Sequence, residues 1–104
     1  MRVLITPGAR RRLREIETYI ANEASPRIAR DLITRILRHV QLLEQHSLLG
    51  QRMERYANAD VRELHERPYR VIYRIRDGCI EILTLMHYRQ LLPSDLHDLE
   101  LRSK

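Results

Sequence analysis

YRVIYRIRDGCIEILTLMH, residues 69–87, holds two β-rich runs separated by Asp77-Gly78. An Asp-Gly pair between alternating runs marks a two-residue type I′ hairpin, because both central positions need a positive φ that Asp tolerates and Gly adopts freely. The turn fixes the register. With Arg76 facing Cys79, Arg74 meets Glu81, Tyr73 meets Ile82 and Tyr69 meets Met86. Side-chain alternation then sorts the hairpin into two faces. One carries Tyr69, Val71, Tyr73, Ile75, Ile80, Ile82, Thr84 and Met86 and is expected to receive the core. The other carries Arg70, Ile72, Arg74 and Arg76 beside Cys79, Glu81, Leu83, Leu85 and His87, with Arg89 following. Arg74 and Glu81 are expected to pair across the strands, whereas Arg70, His87 and Arg89 have no acid opposite them.

Working outward toward the N-terminus, Asp60 to His65 is a third strand, and His46 to Asp60 reads as a loop. Arg62 is expected to be partly buried and paired with Glu63 or Glu66. Before the loop, Ser25-Pro26 is a cap followed by a first-turn proline, opening a helix that runs to about Gln45. Its apolar positions, from Ile28 through Leu43, cover about half the circumference, wider than the stripe of about 100° on a helix with one buried face. That arc places it between another helix and a sheet. Thr6-Pro7 repeats the cap signal, and Ala9, Leu13, Ile16 and Ile20 form the buried stripe of a first helix. Met1 to Ile5 is a short strand. Toward the C-terminus, Leu91, Leu92, Leu96 and Leu99 are expected to lie back over Ile72, Leu83 and Leu85. The predicted fold is α+β: an N-terminal strand, a helical hairpin, a three-stranded antiparallel meander and a short C-terminal helix, in one domain over residues 1–104.

Composition narrows the function. Among 104 residues, eighteen are Arg and one, Lys104, is Lys, against 14 acids, giving a formal charge of +5. Such an excess attracts anionic partners: nucleic acid, an acidic protein or a membrane surface. Much of it is balanced locally, since Arg11 to Glu15 and Arg14 to Glu17 have helix-pair spacing. No stretch approaches the roughly 18 apolar residues of a membrane span. The lone Cys79 cannot form an internal disulfide, so a reducing, cytoplasmic setting is expected. His39, His46, His65 and His97 show no metal-ligand spacing, and no phosphate-binding loop, dinucleotide fingerprint or nucleophile elbow occurs. No cofactor or metal is expected.

The element order, with Thr6-Pro7-Gly8-Ala9, Tyr19-Ile20, Ser25-Pro26, Leu49-Gly50-Gln51-Arg52, Val61-Arg62-Glu63-Leu64, Tyr69-Arg70-Val71-Ile72-Tyr73, Asp77-Gly78 and His87-Tyr88-Arg89, resembles the RelE/ParE superfamily of type II toxins. The resemblance covers nearly the whole chain. It implies a toxin neutralised by a cognate antitoxin, with which it forms a hetero-oligomer. RelE-like members cut mRNA on the ribosome, whereas ParE-like members poison DNA gyrase. On the first reading, Arg70, His87, Tyr88 and Arg89 match catalytic positions. However, RelE's strand lysines fall where this chain has Val61 and Glu63, an apolar residue and an acid where cations should meet phosphate. The closer resemblance is therefore to ParE, with no catalytic residues. The antitoxin is expected to bury apolar side chains against Ile28, Leu32, Leu37 and Leu42 and to pair carboxylates with exposed guanidinium groups.

Overall fold

In the computed structural model, which describes residues 1–104, the chain runs β1 (Arg2–Ile5), α1 (Pro7–Glu23), α2 (Pro26–Gln41), β2 (Gln51–Arg52), β3 (Asp60–Glu66), β4 (Tyr69–Arg76), β5 (Cys79–His87) and α3 (Leu96–Arg102). The α+β order is the predicted one. Asp77 and Gly78 adopt φ of 54° and 70°, so the type I′ turn forms where its sequence places it. The two long helices open alike. Thr6 and Ser25 keep extended backbone, their hydroxyls accept from the Ala9 and Ile28 amides, and a proline stands at the start of each helix. Each cap contributes about 1 kcal/mol. α2 ends at Gln41 rather than near Gln45, because its last turn tightens into a 3₁₀ turn over Leu42–Glu44 that drops Leu43 into the core.

Five strands form one sheet in the order β1-β5-β4-β3-β2. β1 lies parallel to β5 at one edge, and the β3-β4-β5 meander is antiparallel. β2 occupies the segment expected to be loop. Its two residues are exposed and join β3 through backbone pairing and an Arg52 to Asp60 ion pair at 3.9 Å, so no apolar alternation announces them.

Both helices lie on the same face of the sheet. Ala9 and Ile16 from α1 and Leu32, Ile36 and Val40 from α2 share one cluster with Tyr69, Val71, Tyr73, Ile80, Ile82 and Leu85. α2 therefore lies beside α1, and not wedged between α1 and the sheet; its wide arc is shared by the sheet below and α1 on its flank. On the opposite face, Met53, Tyr56, Val61, Ile72, Leu83, Met86 and Leu99 make a second cluster under α3. Three polar contacts fasten this cover: Tyr56 donates to the Pro93 carbonyl at 2.6 Å, Arg55 to the Leu92 carbonyl at 3.0 Å, and Arg74 to Glu100 at 3.1 Å. Leu92, Leu96 and Leu99 fold back over Ile72 and Leu83 as expected but not over Leu85, which lies on the other face, and Leu91 stays 90% exposed.

The hairpin register holds only for its first half. Arg74 faces Glu81 and Tyr73 faces Ile82, but beyond them Ile72 faces Thr84 and Tyr69 faces His87, not Met86. A β-bulge gives β5 one extra residue between these pairs, and an inserted residue reverses the faces of everything after it. Leu85 consequently packs with the helices and Met86 against the second cluster, opposite to the expected assignment.

Candidate functional site

The bulge decides which cations meet. Beyond it, His87 stands opposite Tyr69 on the helix side, and the two rings touch edge to face with centroids 5.4 Å apart. Arg70 pairs with His65 and Met86 on the other side. The expected Arg70, His87, Arg89 cluster on one face is thus divided. His87 and Arg89 line an open pocket of about 340 Å³ with Tyr69 from β4 and with Arg12 and Tyr19 from α1.

Gln90 fixes the turn between the two sides. Its side-chain oxygen accepts from Arg12 at 3.2 Å and from the His87 amide at 2.8 Å, and its carbonyl accepts from Arg70 at 2.8 Å. Arg12 also donates to the Leu85 carbonyl at 3.2 Å. Arg12, Tyr19 and Gln90 escaped the sequence reading because α1 spacing makes Arg12 look like part of a solvated charged face. The one available signal is the seven-residue interval from Arg12 to Tyr19, which puts both on one side of α1. Burial raises the Tyr69 phenol above its ordinary value, against the lowering pull of Arg12, so it remains a neutral donor.

On the opposite side, Tyr88 meets the His65 ring with centroids 5.3 Å apart and lies under the Arg67 guanidinium at 5.4 Å. The Tyr88 hydroxyl and Arg70 Nε are buried without a protein partner. Neither atom reaches the surface where a substrate would lie. Val61 is fully buried, and Glu63 is hydrogen-bonded to His65, so the two positions where RelE-like sequences carry lysine offer no cation.

Arg62 is correctly expected to be part-buried, but its partners are Asp60 at 2.9 Å and the Gly50 carbonyl at 3.0 Å, not Glu63 or Glu66. Glu66 instead takes Arg35 and His39 from α2. On α1 the ion pair within contact distance is Arg12 with Glu15 at 3.9 Å.

The four apolar residues assigned to an antitoxin do not form one stripe. Leu32 is 5% exposed and belongs to the core, since it faces the sheet one turn from Ile36. Ile28, Leu37 and Leu42 are exposed. Nine residues separate Ile28 from Leu37, which at about 100° per residue sets them on opposite flanks of α2.

The class these features define is a small α+β protein with a cationic exterior, its His/Arg/Tyr group divided between two sides of the sheet and no lysine at the RelE positions. The family model for the ParE toxin of the type II toxin-antitoxin system, parDE, matches residues 3–92, and the chain belongs to that family. Among solved structures, it is similar to a chromosomal ParDE toxin-antitoxin system from P. aeruginosa, with 25% identity and a TM-score of 0.72 over 84% of this chain and 95% of that one. No curated protein matches the chain. As a ParE-family toxin, it has a cognate antitoxin as its partner. No helix is long and apolar enough to cross a membrane.

Proposed function

We propose that this toxin acts by binding DNA gyrase and holding it in a damaging state, and that it has no nuclease activity of its own. The observation that carries the second half is the division of the four residues a ribonuclease would use. Arg70 and Tyr88 lie on one side with key polar atoms buried, and His87 and Arg89 lie on the other. Acid/base catalysis requires its groups within hydrogen-bond reach of the same reacting atoms, and contributes about 10²- to 10⁴-fold when they are. The gyrase half is supported by family membership, since the ParE-like branch is the gyrase-directed one by resemblance.

Induction of the chain without antitoxin in a bacterial host tests this reading. DNA damage response and filamentation with intact mRNA are expected; rapid translation arrest with cut mRNA would overturn it. His87→Ala and Tyr88→Phe should each lower toxicity by less than about tenfold, whereas a loss of about a thousandfold would restore a catalytic role.

The antitoxin, on this proposal, reaches both flanks of α2. Leu37 on one side and Ile28 with Leu42 on the other are separate apolar footholds, each bordered by arginines suited to carboxylates. Leu37→Asp and Ile28→Asp should each weaken antitoxin binding by more than about tenfold in calorimetry, and an effect from only one of them would confine the contact to one flank.

A further inference from the structure

We infer that the pocket between α1 and the end of β5 binds a phosphate group of a nucleic-acid strand. Arg12, Tyr19, Tyr69, His87 and Arg89 line it, and every one carries a hydrogen-bond donor while none carries a carboxylate. Arg12 has one acid partner, Glu15, at 3.9 Å, which does not line the pocket. His87 Nδ1 accepts the Arg89 amide at 3.0 Å, so the proton of the neutral ring sits on Nε2 and that nitrogen also donates. Tyr69 is 4% exposed, and its hydroxyl makes no hydrogen bond within the protein. Arg12 is held in place by Leu85 and Gln90, and Arg89 has no acidic partner.

These donors arrive from α1, β4, β5 and the turn after it. A carboxylate is satisfied in one plane by a single guanidinium fork, whereas phosphate presents oxygens in several directions and suits donors that come from several elements. Tyr19 adds an exposed ring, 60% accessible, on the pocket wall. Cations that track a backbone beside an aromatic surface on which a base can stack are how proteins hold single-stranded nucleic acid. The pocket is not the RelE-type arrangement, because Arg70 and Tyr88 are absent from it and Arg12, Tyr19 and Tyr69 replace them. The source of the strand rests on the gyrase reading, since gyrase opens DNA; the phosphate contact itself does not.

The test is binding of a labelled single-stranded DNA oligonucleotide to the full chain, followed by fluorescence anisotropy across a salt series. Arg89→Ala should weaken binding about tenfold and lower the salt slope by about 1, and Tyr69→Phe should weaken it about threefold. Arg2→Ala is the control: it removes the same charge from the residue that pairs with Cys79, at the far end of β5 from His87, and should cost less than about twofold. Inorganic phosphate should shift the His87 ring resonances in the parent chain and not in Arg89→Ala. Equal losses from Arg2→Ala and Arg89→Ala would overturn the site, leaving only a general basic field. A loss seen with an acidic antitoxin peptide but not with DNA would overturn it in favour of protein carboxylates. Arg89-dependent DNA binding by a chain that leaves gyrase untouched would sink the gyrase reading alone, and gyrase poisoning without such binding would sink this one alone.

Discussion

Arg74 is among the least exposed of the arginines, with its side chain 7% accessible, and its contacts tie parts of the fold together. It bridges Glu81 on β5 and Glu100 on α3, each at 3.1 Å, and so ties the sheet to its C-terminal cover. Removing one member of a buried ionic group leaves the others desolvated and unpaired. Arg74→Ala should therefore cost about 2 kcal/mol in urea unfolding, reduced from the deeply buried case because both acids retain some water. Arg76→Ala, which removes an exposed contact to the same Glu81, should cost less than about 0.5 kcal/mol. The Arg74 to Glu81 half of this group is legible in the sequence, since the turn sets that register. The Glu100 half is not, because nothing in the sequence tells which side of α3 meets the sheet. The same limit explains Leu32, whose burial depends on how α2 is rotated, but not Arg62, whose partner Asp60 stands two residues away on the same face of its own strand.

At the scale of elements, the bulge in β5 has the widest consequence. Leu83 to Met86 are nearly all apolar, and such a run fits either face equally well, so the sequence has no mark for the extra residue. The turn, the helix starts and every strand but β2 are readable from caps, Asp77-Gly78 and spacing; the composition of the pocket is not, since it follows from the reversal of His87. A second element-level contact joins the two ends of the chain. The Gly8 amide donates to the Ser103 carbonyl at 2.9 Å, and a Cβ on Gly8 would stand 1.8 Å from the Arg102 carbonyl oxygen. Gly8→Ala must push the end of α3 away from α1. Hydrogen exchange should then show lost protection over Leu96 to Ser103 with the centre of β5 still protected, while unchanged protection in α3 would contradict the close approach.

For the whole molecule, three buried phenols contribute to the loss of stability expected at alkaline pH. Burial raises Tyr73, Tyr69 and Tyr56 above the ordinary value, and Tyr73 also donates to the Ser47 carbonyl while accepting from the Gly50 amide. A group whose folded value is raised holds its stabilisation below its unfolded value, here about 10, and loses it as pH rises through the folded one. Unfolding free energy should thus show no tyrosine-dependent change through neutral pH and fall steadily above about pH 10, with a weaker fall in Tyr69→Phe, followed by urea titration at each pH. The eighteen arginines divide likewise: some, such as Arg62 and Arg74, are paired with acids within the fold, and others face outward for partners. Among those outward charges, the proposed phosphate pocket of Arg12, His87 and Arg89 and the proposed antitoxin footholds on α2 share no residue. Gyrase poisoning is measured by mixing the purified chain with DNA gyrase, supercoiled plasmid and ATP. Accumulation of linear plasmid covalently trapped on gyrase, suppressed by the antitoxin and accompanied by no cutting of ribosome-bound mRNA, is the predicted result; unaffected gyrase together with cut mRNA would contradict it.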